Sequence, residues 1–242
     1  MTRNLKTLGL GLIAALAMSA MATPGARAVT DDAQMTLAEF PATVTGEQFN
    51  GSLVITREGR TVTCETIKFD GTIQSTDSKT ALTLTPTISN CHSVILGTKF
   101  PATVTMNGCD YLLRLTKDTP SGTYTADTDL VCPGTNKVEV HVYESAAKHT
   151  AGTSMCTTKT PAQSNLQTID LTNEPANAET PKDFLVGHLN LTNITSTSEG
   201  SAFLCGAAHN ATMTLTGTIR LKADNANGEP QGVTISDDVE TP

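Results

Sequence analysis

Glu139, His141 and Tyr143 alternate in the run VEVHVY, so on a strand they share one face while Val138, Val140 and Val142 share the other. A carboxylate beside an imidazole at that spacing suits proton transfer or a shared metal ion. It equally suits a solvated outer face with the valines turned inward. Asp127 and Asp129 also share a face, and paired carboxylates perform acid and base work on glycosides when a cleft separates them. Here Arg114 falls opposite Asp127, which makes a cross-strand ion pair the simpler role. Of the remaining histidines, His92, His149 and His209 fall in loop-like stretches and His188 in a strand-like one. The chain contains neither G-x-S-x-G nor H-E-x-x-H. ADNANGE places Asp224, Ala226 and Gly228 at the first, third and fifth positions of a calcium loop, a failed ligand pattern that a hairpin turn explains better. These residues imply no cofactor and no catalytic set.

Cysteine is the other reactive type, and the elements that position it are hairpins. Six cysteines in an exported chain form bridges, and no C-x-x-C spacing suggests zinc. Pairing neighbours, Cys64 with Cys91, Cys109 with Cys132 and Cys156 with Cys205, puts a turn-rich segment midway in each loop. Each bridge then contributes roughly 3 to 4 kcal/mol in the chain-entropy account. With a turn centred on Pro120-Ser121, Cys109 lies opposite Cys132. Tyr111, Leu113 and Leu115 then share an apolar face with Leu130, Thr128 and Ala126, while Arg114 faces Asp127 on the polar side. GSLVITREGRTVTC reads as a hairpin turning at Glu58-Gly59, with Leu53 opposite Cys64 and Ile55 opposite Val62.

A centre near Asp77-Ser78 sets Cys64 opposite Cys91, although a turn at Asp70-Gly71 competes with it. Strict alternation from Ile67, Phe69 and Ile73 then puts both cysteines on the wrong side. Either each strand carries a bulge or this bridge lies on the outer face. Pro86 marks its strand as an edge or as bulged. FPATVTG at Phe40 recurs as FPATVTM at Phe100, from partial duplication or from chance in a Thr-rich chain. TDDAQMTLAEF reads as a polar lead-in, and Asn227-Gly228 followed by QGVTIS as a final hairpin.

Arg3 and Lys6 precede LGLGLIAALAMSAMA and the small-residue site Ala26-Arg27-Ala28, the pattern of a secretory signal peptide over residues 1–28. Cleavage is expected before Val29, with Ala20-Met21-Ala22 as a second candidate site. The mature chain has no membrane span, and its place is extracellular or in the cell envelope. Without the leader, 13 basic residues face 24 acidic ones, so nucleic acid is a poor partner. The 43 threonines alternate with Val, Ile and Leu, which fits a pleated, half-buried surface. Trp is absent and Tyr numbers only 3, which argues against a stacking platform for sugars.

TLTPTISNC (Thr83 to Cys91), PATVTMNGCDY (Pro101 to Tyr111) and the Asp-Leu-Val-Cys-Pro ending at Pro133 resemble recurring words of uncharacterised secreted proteins of actinobacterial type. The resemblance covers roughly Val62 to Pro133. It implies export and a disulfide-containing, Thr-rich β fold, transfers no site residue, and does not extend to NEPANAETPKDF. The expected architecture is all-β, with antiparallel sandwich-like sheets built from hairpins and stapled by three disulfides. It divides into β regions at 29–135 and 136–242. The expected role is non-catalytic, binding an extracellular or envelope partner through loops or a sheet edge, or packing there as a structural protein. The alternative is a secreted hydrolase with a dispersed site drawn from Asp127, Asp129, Glu139 and His141. A third class, the small-ligand carrier, requires an apolar cavity.

Overall fold

The computed structural model describes residues 33–75, 80–116, 123–200, 205–206 and 210–237. The leader over 1–28, the turn centres Asp77-Ser78 and Pro120-Ser121, and His209 lie outside these residues. Alternation of Thr with aliphatic residues produces a meander of eight long strands, four of them broken once. The first is β2 (Ala42–Gln48) with β3 (Leu53–Arg57), followed by β4 (Arg60–Ile73) and β5 (Ala81–Ile95). The fourth is β6 (Thr98–Thr105) with β7 (Asp110–Thr116), and the fifth is β8 (Tyr124–Val131) with β9 (Lys137–Val142). The sixth is β10 (Cys156–Pro161) with β11 (Gln163–Glu174), ahead of β12 (Phe184–Gly200) and β13 (Ala211–Asp224).

Each long strand pairs antiparallel with the next, and β13 returns to pair with both β2 and β3. The all-β, antiparallel architecture is therefore present, and the sheet is also closed on itself. Closure gives every long strand two neighbours and removes the open edges that invite aggregation. The regions drawn on either side of residue 135 share this sheet, because β6 pairs with β9 and β8 with β11.

All three neighbour disulfides are formed. The registers set Arg114 opposite Asp127, Leu53 opposite Cys64 and Cys64 opposite Cys91, as local pairing requires. Glu58 and Gly59, at φ 48° and 75°, make the left-handed turn that joins β3 to β4. The phase conflict around Cys64 resolves as a bulge on each strand. Burial passes from Cys64 to Ile67 on β4, and from Pro86 to Cys91 on β5, each across an odd step. Asn90 takes up the β5 bulge at φ 55°, its Nδ2 donating to Thr66 Oγ1 at 3.1 Å. Pro86 falls in the stretch of β5 that pairs only with β4, opposite Phe69, the edge-like setting in which a strand tolerates proline.

Bulges and breaks recur in neighbouring strands. Asn50, Asn107, Asn165 and Asn193 also have positive φ, each at a strand break or register shift, a conformation that asparagine tolerates better than most residues. Asn107 and Asn136 clamp the two breaks that flank Cys109–Cys132. Asn107 Nδ2 donates to Lys137 O at 2.8 Å, and Asn136 Nδ2 to Asn107 O at 2.7 Å.

One apolar cluster fills the closed sheet, with Leu53, Phe69, Leu84, Leu113, Ile169 and Leu191 among its members. Outward positions such as Thr83, Thr85 and Thr87 are exposed. The interior holds voids of about 20, 40 and 20 Å³, each on the scale of a single water.

Two readings of the sequence change. The lead-in contains a strand, β1 (Ala33–Leu37), whose Ala33 and Met35 are buried. The hairpin at Asn227-Gly228 closes only over two residues, β14 (Pro230–Gln231) against Ala223 and Asp224 of β13, and the rest of QGVTIS leaves β13. Instead β15 (Val233–Asp237) pairs antiparallel with β1, burying Val233 and Ile235 against the same core. The alternation of apolar residues decides both cases, since this ribbon covers side chains that one end of the closed sheet would otherwise expose.

Candidate functional site

The outer faces of β2, β4 and β13 carry a cluster of charged side chains. In one cross-strand row Arg220 pairs with Glu47, which pairs with Lys68. In the next, Lys222 pairs with Thr45, which pairs with Asp70. Thr45, Glu47, Lys68, Asp70 and Lys222 surround a hollow of about 290 Å³. A second hollow of about 180 Å³ shares Thr45 and Lys222 with it and is walled by residues 179–183.

That wall is built by the connection NEPANAETPKDF. Asn177 Oδ1 accepts from the backbone N–H groups of Glu179 and Thr180, both at 2.9 Å, and Asp183 Oδ1 accepts from Ala176 N at 3.0 Å. Arg220 fastens the loop to the sheet. Its Nη1 donates to Thr180 Oγ1 at 3.1 Å, and its Nε and Nη2 donate to Glu47 Oε1 at 3.1 and 2.6 Å. The guanidinium also lies 5.1 Å from the Phe49 ring centre and 5.8 Å from that of Phe184, which holds it by packing as well as by charge.

Lys222 Nζ donates to the same Glu47 oxygen at 2.8 Å. This bond, with help from Arg220, outweighs partial burial and holds the Glu47 carboxyl below its ordinary range. Lys68 and Asp70 are exposed and take part in no ion pair among the described residues. The cleft therefore has a fixed, internally neutralised side at Glu47 and Lys222, and an opposite side with one available cation and one available anion.

The residues singled out from the sequence lie elsewhere. Glu139 and His141 do share the outer face of β9, and His141 Nε2 is 3.2 Å from Glu139 Oε2. The structure adds Thr157 on β10, whose Oγ1 is 3.0 Å from His141 Nδ1. Tyr143 is buried, stacked on His141 and packed against His149. Asp127 and Asp129 separate in role. Arg114 faces Asp127 in register but places its guanidinium on Asp129 Oδ2, and Asp129 Oδ1 accepts from Asn165 N at 2.8 Å. Asp127 accepts from Thr168 Oγ1 at 3.3 Å. His92 lies 3.8 Å from Glu65, and His188 lies 3.4 Å from Thr218. Asn225 organises the ADNANGE turn, its Oδ1 accepting from the N–H groups of Asn227 and Glu229. Among the described residues no three His, Cys, Asp or Glu side chains are placed to hold a metal ion.

Arg57 is a further residue that sequence reading passed over. It points into the closed sheet at 5% exposure, with Nε donating to Ser196 Oγ at 3.1 Å and Nη1 to Cys205 O at 2.7 Å. It thereby ties β3 to the segment held by Cys156–Cys205. The usable signal for the cleft was charge at alternating positions in IKFDG and IRLKA. Only closure of the sheet brings those two words together.

No family model matches the chain, and neither a curated protein nor a solved structure matches it.

Proposed function

We propose that this chain is an exported, non-catalytic binding protein, which holds a small ligand bearing both an amino and a carboxylate group in the cleft over β2, β4 and β13. The carrying observation is the exposed Lys68 and Asp70 beside a hollow of about 290 Å³ whose other side is fixed by Glu47 and Lys222. Outward side chains two residues apart on a strand sit roughly 7 Å apart, a span that a short amino-carboxylate ligand bridges. Export is supported by the leader pattern at residues 1–28 and by three disulfides, which persist in oxidising compartments. An acidic balance of -8 over the whole chain disfavours nucleic acid.

Two rival roles have less support. A carrier needs a ligand-sized interior, whereas the voids inside the sheet are about 20 to 40 Å³. A hydrolase that uses Asp129 as acid or base must first release it from Arg114 and Asn165.

Calorimetric titration of the oxidised protein with amino acids, dipeptides, neutral sugars and a fatty acid tests the reading. Amino acids or dipeptides should bind, and Lys68→Ala and Asp70→Ala should each weaken that binding at least tenfold. Silence from every zwitterion, or unchanged affinity in both variants, would refute it.

A further inference from the structure

We propose that Thr157 is an activated nucleophile that takes an acyl group from activated esters. This goes beyond ligand binding and uses none of the cleft residues. The β9–β10 register sets His141 directly opposite Thr157 on the outer face of the sheet. Glu139 Oε2, 3.2 Å from His141 Nε2, favours the tautomer in which Nε2–H donates a hydrogen bond to the carboxylate and Nδ1 is the acceptor. The Thr157 hydroxyl, 3.0 Å from Nδ1, donates to it, and Ser154 Oγ lies 3.0 Å from Thr157 Oγ1 on the other side. Nucleophile, base and orienting carboxylate thus stand in the order that hydroxyl activation requires.

The imidazole is held in place. It stacks on Tyr143 with ring centres 6.2 Å apart, and the Tyr143 hydroxyl lies 3.2 Å from Thr103 Oγ1. Neither a solvated outer face nor a cross-strand ion pair needs this arrangement, since Glu139 also faces Lys159 across the same strands.

In the step itself, Thr157 Oγ attacks the ester carbonyl carbon while its proton passes to His141 Nδ1. A bond forms between Oγ and the acyl carbon, the bond from that carbon to the leaving oxygen breaks, and the leaving group departs with the proton from His141. The substrate class follows from what surrounds Thr157. It pairs with His141 on one side and with Glu199 on the other, so its backbone groups belong to the two ladders rather than to an oxyanion. Without such donors only an ester with a good leaving group reacts, and amides do not. Thr157 and His141 touch the reacting atoms, whereas Glu139 is a positioning residue.

The test is to incubate the oxidised full chain with p-nitrophenyl acetate near neutral pH, follow release of p-nitrophenolate, and locate the acetyl group by peptide mass mapping. The expected result is a single acetyl on Thr157, with release at least tenfold slower in Thr157→Val and in His141→Gln. Glu139→Gln should slow acetylation several-fold, and Glu139→Asp should restore part of the loss. Thr157→Ser, which keeps the oxygen and drops the methyl, should acetylate at least as fast as the parent; it decides the matter against His141→Gln should Thr157→Val not fold. Acetyl groups found only on lysines, or scattered over the threonines, would overturn the proposal. So would unchanged release after His141→Gln.

Discussion

Asp127 and Asp129 lie one pleat apart on β8, yet only Asp129 is buried and doubly bonded. Burial alone would raise its carboxyl. The Asn165 N–H and the Arg114 guanidinium outweigh that and hold it below the ordinary aspartate range. A folded value below the unfolded one contributes stability that is fully present above the unfolded value, about 3.9, and is lost as pH falls through the folded value. Urea midpoints measured across the acid range should therefore fall more steeply below about pH 4 in the parent than in Asp129→Asn. At neutral pH the variant should lose roughly 1 to 3 kcal/mol, chiefly through the buried acceptor, because Arg114 is partly solvated. Parallel acid limbs in the two proteins would contradict this. Thr128 makes the opposite case. Its hydroxyl is buried in the apolar interior and has no hydrogen-bond partner among the described residues, so Thr128→Val, equal in shape, should raise the urea midpoint by the equivalent of about 1 kcal/mol. A lower midpoint would mean that the hydroxyl is satisfied in solution. Alternation alone placed Thr128 inside and Glu139 beside His141, since both facts belong to one strand. Thr157 escaped notice because its partner lies on another strand, beyond a loop that carries the short helix α1 (Ala146–Thr150).

The hairpins were legible for the same local reason. A turn signal with a disulfide at the open end fixes a register, and the β3–β4, β4–β5 and β7–β8 pairs follow it. The bulges were legible only as a contradiction at Cys64, since an asparagine at positive φ looks in sequence like any polar outward residue. Where β11 bulges away from β12, side chains replace the lost ladder. Gln163 Oε1 accepts from Thr195 N at 2.7 Å and Gln163 Nε2 donates to Thr195 O at 2.9 Å, so one amide stands in for a strand peptide. Gln167 Oε1 accepts from Thr192 N at 2.9 Å. Gln163→Ala should accordingly speed hydrogen exchange at the Thr195 amide and leave the Thr192 amide protected, at a global cost of about 1 kcal/mol. Gln167→Ala should show the reverse selectivity. Equal exchange at both amides in either variant would mean that the seam opens as a unit, without reliance on the two side chains.

Closure joins β13 to β2 and β3, segments far apart in sequence, and neither composition nor turn spacing encodes which strand meets which. The cleft depends on that seam, because Glu47 and Arg220 come together only there. The ribbon of β1 and β15 depends on it too. It packs against β7, β11, β12 and β13 and completes the core at one end with Ala33, Met35, Val233 and Ile235. Asn173 secures it from β11, its Oδ1 accepting from Ile235 N at 2.7 Å and its Nδ2 donating to Ile235 O at 2.8 Å. Ile235 is thus both a core side chain and the point at which the ribbon is tied to the sheet. Truncation to alanine leaves the backbone ties and removes only packing, which at a fully buried isoleucine costs about 2 to 5 kcal/mol. If ribbon and closed sheet unfold together, Ile235→Ala should lower the urea midpoint by that amount with an unchanged slope, and Leu96→Ala, at an 87% exposed turn position, should not. Rapid exchange of the β1 amides in Ile235→Ala, with the midpoint unmoved, would instead identify the ribbon as a flap that opens independently. The core that the ribbon completes would then have to be stable in contact with water, which its apolar character opposes.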